Sequence, residues 1–202
     1  MEFSNSSKAQ DYLNRLRIFM EQSVFPAEAI YHQQRVDLQK SGRPHELPAI
    51  VEELKESARS KGLWNLFLPD SHDPAHGLTV TDYAALAELT GWSPEIAPEA
   101  LNCAAPDTGN MEVLHLFGST AQKAQWLEPL LNGEIRSGFA MTEPDVASSD
   151  ASNISTRITR TGDEFVINGR KWWTTGALDP RCKILIVMGV SDPDAVLVNN
   201  VS

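Results

Sequence analysis

Apolar positions recur at helical spacing through the earlier, longer part of the chain. Tyr12, Leu13, Leu16, Phe19 and Met20 fall on one face of a 3.6-residue repeat. Ser7 with Gln10 precedes them as a capping-box pair, and Phe25-Pro26 is expected to close or kink that helix. Pro48 suits the first turn of a second helix, with Leu47, Ile50, Leu54 and Ala58 on one face and Gly62 as its C-terminal stop. Leu63 to Pro69 reads as an apolar connector packed in the core. A capped helix follows from Thr79 to Gly91, then helices over Pro94 to Leu101 and Pro106 to Phe117. Ser119 with Gln122 is a further capping box, leading into Lys123, Trp126, Leu127 and Leu130.

At Asn132-Gly133-Glu134 the period changes. Ile135 to Met141, Ile154 to Thr159, Phe165 to Ile167 and Lys183 to Val190 are rich in Ile, Val, Phe and Thr and read as strands. Gly162-Asp163 and Asn168-Gly169 are the turns, the second a strong hairpin signal of type I′. Helices followed by short antiparallel strands predict an α+β chain with two segregated regions. The division expected is a helical domain over 1–134 and the first part of a β-domain over 135–202.

The charge balance narrows the function. The chain of 202 residues carries a formal net charge of -10, which argues against a nucleic-acid surface. Cys103 and Cys182 have no metal spacing and form no disulfide framework; they read as reduced core residues. His72 and His76 share a loop without a carboxylate cluster of ligand spacing, so no metal site is assigned. No run approaches membrane-span length. The polar, Arg-poor start matches neither a secretory signal nor a transit peptide, so the cytoplasm is expected.

The candidate chemistry lies where the first strand ends. Phe139-Ala140-Met141-Thr142-Glu143-Pro144-Asp145-Val146-Ala147-Ser148-Ser149-Asp150 runs from apolar strand into a small polar loop able to turn backbone donors toward an anion or polar heterocycle. Further on, Asn168-Gly169-Arg170-Lys171-Trp172-Trp173-Thr174-Thr175-Gly176 brings two aromatic rings and two hydroxyls toward it. As consecutive strand residues, Trp172 and Trp173 are expected on opposite faces. Arg170 and Lys171 read as solvated hairpin charges. Asn102 to Asp107, small and polar between helices, read as a possible border of a ligand cavity.

These two motifs, in this order, resemble the acyl-CoA dehydrogenase family. Its flavin loop reads aromatic-x-x-Thr-Glu-Pro-x-x-x-Ser-x-Asp, followed by Asn-Gly, Lys-x-Trp and Thr, all present here. The variant Thr-Glu-Pro-Asp-Val-Ala-Ser-Ser-Asp is similar to the subgroup that includes long-chain-type enzymes fused to kinase-like domains in animals. The resemblance implies a helical N-terminal domain, an antiparallel barrel-like middle β-domain, and a C-terminal four-helix domain. This chain matches about the first half of such a subunit and reads as a fragment with little activity alone.

The implied reaction is α,β-dehydrogenation of a fatty acyl-CoA with FAD, using an electron-transfer partner or oxygen as acceptor. A homo-oligomer is implied for the full-length parent. The resemblance assigns Phe139, Met141 and Thr142 to the isoalloxazine and Ala147 and Ser148 to the pyrophosphate or CoA side. It places Trp173 over a ring face and Thr174 and Thr175 near N5, with Phe139 and Ser148 also toward substrate. It puts the catalytic base in the C-terminal domain, so no catalytic residue is assigned here and Glu143 is expected to anchor the loop. The alternatives are a flavin-dependent monooxygenase on the same scaffold, or a non-catalytic fragment that binds flavin or associates with full-length subunits.

Overall fold

The computed structural model describes residues 4–68 and 77–192; His72, His76, Pro69 and the residues after Asp192 lie outside that range. Helix α1 (Ser7–Phe19) is capped by Ser6, whose side chain accepts from the Ala9 N–H, rather than by Ser7. Phe25-Pro26 neither closes nor breaks the helix. The chain widens into a π segment over Met20–Val24 and continues as α2 (Phe25–Lys40) with Pro26 in its first turn. A second π segment, Lys123–Leu127, likewise precedes a proline, Pro129 in α8 (Glu128–Leu131). Proline lacks an amide donor and crowds the carbonyl four residues back. A wider turn just ahead of it relieves that conflict without ending the helix.

Helix α3 (Ala49–Ser60) takes Pro48 as its N-cap and ends at Gly62, whose φ of 63° suits a residue without Cβ. Helix α4 (Val80–Thr90) is capped by Thr79 and ends at Gly91. The helix expected over Pro94 to Leu101 is reduced to α5 (Ala97–Ala100), followed by α6 (Asp107–Phe117). The capping box at Ser119 and Gln122 is present, opening α7 (Thr120–Gln122). The larger core packs α1, the start of α2, α3, α4 and α5 around Leu16, Phe19, Met20, Leu63 and Leu101, all 0–1 % exposed. A smaller one gathers Met111, Leu114, Leu127 and Leu130, with Ile184 leaning in from the sheet. Neither Cys103 nor Cys182 is in a disulfide; both are half-buried.

The β region differs from expectation in its pairing. Strand β1 (Arg136–Ala140) pairs in parallel with β4 (Cys182–Val187). Strands β2 (Arg157–Thr161) and β3 (Glu164–Asn168) form the antiparallel hairpin across Gly162. The two pairs meet where Ile158 N–H donates to Val190 O (3.0 Å) and Val190 N–H to Thr156 O (2.8 Å). Asn168-Gly169 is not a hairpin turn: neither residue has the positive φ that type I′ requires. Gly169 instead lies against Thr156, where a Cβ would sit 2.2 Å from its hydroxyl oxygen. Absence of a side chain there lets the chain leave the hairpin and cross toward the end of β1.

A buried charge network ties the helices to this sheet. Glu99 of α5 lies 2.9 Å from Lys55 of α3, 3.0 Å from Arg136 of β1 and 2.9 Å from Arg181 ahead of β4. Asp107 of α6 adds 2.6 Å to Arg136 Nε and accepts from the Ser137 amide at 2.7 Å. Burial pushes the Glu99 pKa up, but Arg136, Lys55 and Arg181 outweigh it and bring it to about 2. Asp107 goes the other way, raised because burial outweighs Arg136 and Ser137. Asn102 is equally structural. Its amide, only 1 % exposed, donates to Asn65 Oδ1 (2.7 Å) and Leu130 O (3.0 Å). Asn102 and Asp107 thus hold helix ends and β1 together.

Candidate functional site

Strand β1 delivers the chain to Met141, and the segment after Gly169 returns to meet it. The Trp172 N–H donates to Thr142 O (3.1 Å), and the Thr142 hydroxyl donates to Trp172 O (2.6 Å). Lys171 Nζ donates to Met141 O (2.8 Å) and to Glu143 Oε1 (2.8 Å). On the far side of the same stretch, Thr174 and Thr175 lie against Gly138, where a Cβ would be 3.3 Å from the Thr174 methyl. The tertiary fold therefore gathers Phe139, Met141, Thr142, Trp173, Thr174 and Thr175 at the C-terminal end of β1.

Glu143 holds the loop from inside. It is 4 % exposed. Its Oε1 accepts from Lys171 and from Thr156 N–H (2.9 Å), its Oε2 from Ser155 N–H (2.8 Å) and the Ser155 hydroxyl (2.5 Å). Burial works to raise its pKa, but Lys171, Ser155 and Thr156 hold the carboxyl well below the usual carboxylate range. A carboxylate with four donors on it is an anchor and a poor base. The Glu143 amide donates to Ser148 Oγ (2.6 Å), which turns the buried Ser148 side chain into the loop. Ala147 is exposed beside it, and Asn153 Nδ2 donates to its carbonyl (3.2 Å). Asp150 closes the loop by accepting from Ser152 N–H (2.9 Å).

Two expectations change here. Trp172 and Trp173 are not in a strand, so alternation does not separate them; their rings sit 5.8 Å apart, tilted at 53°. Lys171 is not a solvated charge but a nearly buried ion-pair partner of Glu143. Arg170 does remain at the surface, paired with Asp145 at 2.9 Å. Trp173 is the unusual residue: its φ is 53°, a region that bulky L-residues avoid, and 81 % of it is exposed. A large indole held in a strained backbone and left uncovered points to function. Sequence reasoning missed Lys171 because its only signal was its place two residues before Trp173.

Among the described residues no group of three or more His, Cys, Asp or Glu is arranged to hold a metal ion. No described helix is long and apolar enough to cross a membrane.

Known proteins match the chain over nearly its whole length. The sequence pattern described as "Acyl-CoA dehydrogenase, N-terminal domain" matches residues 6–134, and that described as "Acyl-CoA dehydrogenase, middle domain" matches 138–200. The chain is 62% identical over 197 residues to "Probable acyl-CoA dehydrogenase FadE2" of Mycobacterium tuberculosis, covering 96% of this chain and 46% of that protein. It is 52% identical over 191 residues to human "Acyl-CoA dehydrogenase family member 11", covering 93% of this chain and 23% of that one. A solved structure assigned as an acyl-CoA dehydrogenase from Mycobacterium abscessus superposes with a TM-score of 0.86 at 48% identity, over 95% of this chain and 48% of that one. The chain thus spans about a quarter to half the length of these relatives. Two domain patterns covering nearly all of it, and a matching fold at high identity, show that the chain belongs to the acyl-CoA dehydrogenase family.

Proposed function

We propose that these residues form the flavin-binding part of an FAD-dependent enzyme that dehydrogenates fatty acyl-CoA thioesters between Cα and Cβ. The observation that carries this reading is Trp173, whose exposed indole is fixed beside Thr142 by the two Trp172–Thr142 hydrogen bonds. An uncovered aromatic face next to hydroxyls fits a planar heterocycle with polar edges. The enzymes of this family generally use FAD, and when bound the flavin supplies the hydride acceptor.

The chain's own residues bind, orient and exclude water. Trp173 covers one ring face and keeps solvent from it. Thr142 presents its hydroxyl oxygen, which retains acceptor capacity while its proton is held by Trp172 O. Thr174 and Thr175 border the reacting edge, and Phe139 and Met141 line the ring from β1. Ala147 faces outward toward the pyrophosphate or CoA side. Ser148 supports that side indirectly, since its hydroxyl is engaged by the Glu143 amide. Holding the substrate Cα and Cβ against the ring is an orientation effect. No residue of this chain is proposed as the proton-abstracting base, and Glu143, committed to Lys171, Ser155 and Thr156, serves as the loop's anchor.

Two domains dividing near 134 and 135, an acyl-CoA substrate, a redox partner for the reduced flavin, and homo-oligomeric assembly of the parent complete the proposal. The test is a visible spectrum of the 202-residue chain after FAD addition and desalting, then anaerobic acyl-CoA titration. Flavin that stays with the chain supports the reading, and a colourless chain refutes binding by these residues. Bleaching by acyl-CoA would show that a base within this chain had been overlooked.

A further inference from the structure

Lys171 and Glu143 form a buried ion pair between the loop after β1 and the segment after Gly169, and neither is given a ligand contact by the reading above. Their side chains are 13% and 2% exposed, with Nζ 2.8 Å from Oε1. Lys171 spends a second donor on Met141 O, at the end of β1. Glu143 is held in turn by Ser155 and Thr156 on the approach to β2. Two other segments, at Ser155–Thr156 and at Lys171, therefore converge on the Glu143 carboxylate. Buried pairs of this kind are often replaceable by apolar residues without loss of stability, so stability alone does not account for it. What the pair does accomplish is geometric. It immobilises residue 171, Thr142 immobilises residue 172, and Trp173 emerges next in a conformation it would not adopt unaided.

We propose that Lys171 and Glu143 are positioning residues whose ion pair, braced against Met141 O, sets where the Trp173 indole stands beside Thr142 to cover a planar ligand; the ligand half of this statement rests on the flavin reading above. Without the pair the backbone strain at Trp173 relaxes, the indole leaves its place, and a planar ligand loses its cover while the strands persist.

The experiment is amide hydrogen exchange of the full chain without ligand, combined with FAD titration, on Lys171→Met and Lys171→Arg. If Lys171→Met does not fold, the pair Glu143→Gln/Lys171→Met, which removes the unpaired buried charge, takes its place. The Trp172 amide, bonded to Thr142 O, is expected to lose protection while the β1–β4 amides keep theirs. Lys171→Arg is expected to restore part of it. The FAD half-saturation concentration is expected to rise by about tenfold or more, the scale of one or two lost orienting hydrogen bonds. Loss of protection uniform across the chain overturns the proposal, as does selective loss with unchanged FAD affinity. Selective loss of Trp172 protection in a chain whose parent retains no flavin sinks the flavin reading and leaves the positioning of the indole standing.

Discussion

Replacing Trp173 by Asn separates a ligand-facing residue from a packing one. Trp173 is 81 % exposed, so only about a fifth of a side chain that buries up to about 250 Å² is removed from water. At about 25 cal/mol per Å², that contact with Trp172 and the loop stabilises the fold by roughly 1 kcal/mol. Against it stands the left-handed backbone, which costs an ordinary L-residue about 1–2 kcal/mol and Asn less. The two effects nearly cancel. Trp173→Asn should therefore change folding stability by less than about 1 kcal/mol, where a core Trp truncated to a small residue loses about 3–5. Stacking of a heteroaromatic ring on an indole is of the order of 1–3 kcal/mol. Loss of the indole should weaken FAD binding by about tenfold or more. Urea unfolding of the ligand-free chain gives the first quantity, and flavin fluorescence titration gives the second. A stability loss of core size, or FAD binding equal to that of the parent, would refute the reasoning.

Other substitutions probe the frame that carries the site. Glu99→Gln should destabilise the chain by roughly 3 kcal/mol at neutral pH, the linkage equivalent of a carboxyl held near 2 instead of 4.5. Because the folded pKa is depressed, that stability is full above 4.5 and disappears as pH falls toward about 2, so acid titration of the two melting curves should show them converging there. Asp107 is present in both chains, but the Glu99 charge is one of the causes that raise its pKa, so removing that charge relieves a repulsion and makes the difference smaller than Glu99 alone implies. Gly169→Ala places a Cβ 2.2 Å from the Thr156 hydroxyl and should cost about 1–3 kcal/mol, measured by urea unfolding, with Trp172 and Trp173 displaced in near-ultraviolet circular dichroism. Asn102→Ala removes the donor shared by Asn65 and Leu130 at a φ of 55°. A loss of about 2–3 kcal/mol is expected, and an unchanged midpoint would show the bond to be dispensable.

Read from its residues alone, the chain already determined most of its helical part, though not the continuation through Pro26 or the shortness of α5. The Thr79 cap, the Ser119–Gln122 box and the Gly62 and Gly91 stops act on neighbours within a turn, so their physics is complete in a few residues. The same holds for the Gly162 hairpin, and the Thr-Glu-Pro loop with its Lys-x-Trp partner was recognisable as a pair. Glu143 as an anchor followed instead from the resemblance, which puts the base elsewhere; its donors on Ser155, Thr156 and Lys171 are 12, 13 and 28 positions away. What failed in the β region was non-local. Asn168-Gly169 has the composition of a type I′ turn, but Thr156 packed against Gly169 sends the chain elsewhere, and only that contact decides it. Parallel pairing of β1 with β4 depends on residues more than forty positions apart (Ser137 with Ile184), beyond any periodic signal. Lys171 looks like a surface cation until the fold folds Glu143 and Met141 O around it. Burial, and with it the choice between a solvated charge and a positioning ion pair, belongs to the assembled chain because water is excluded only there.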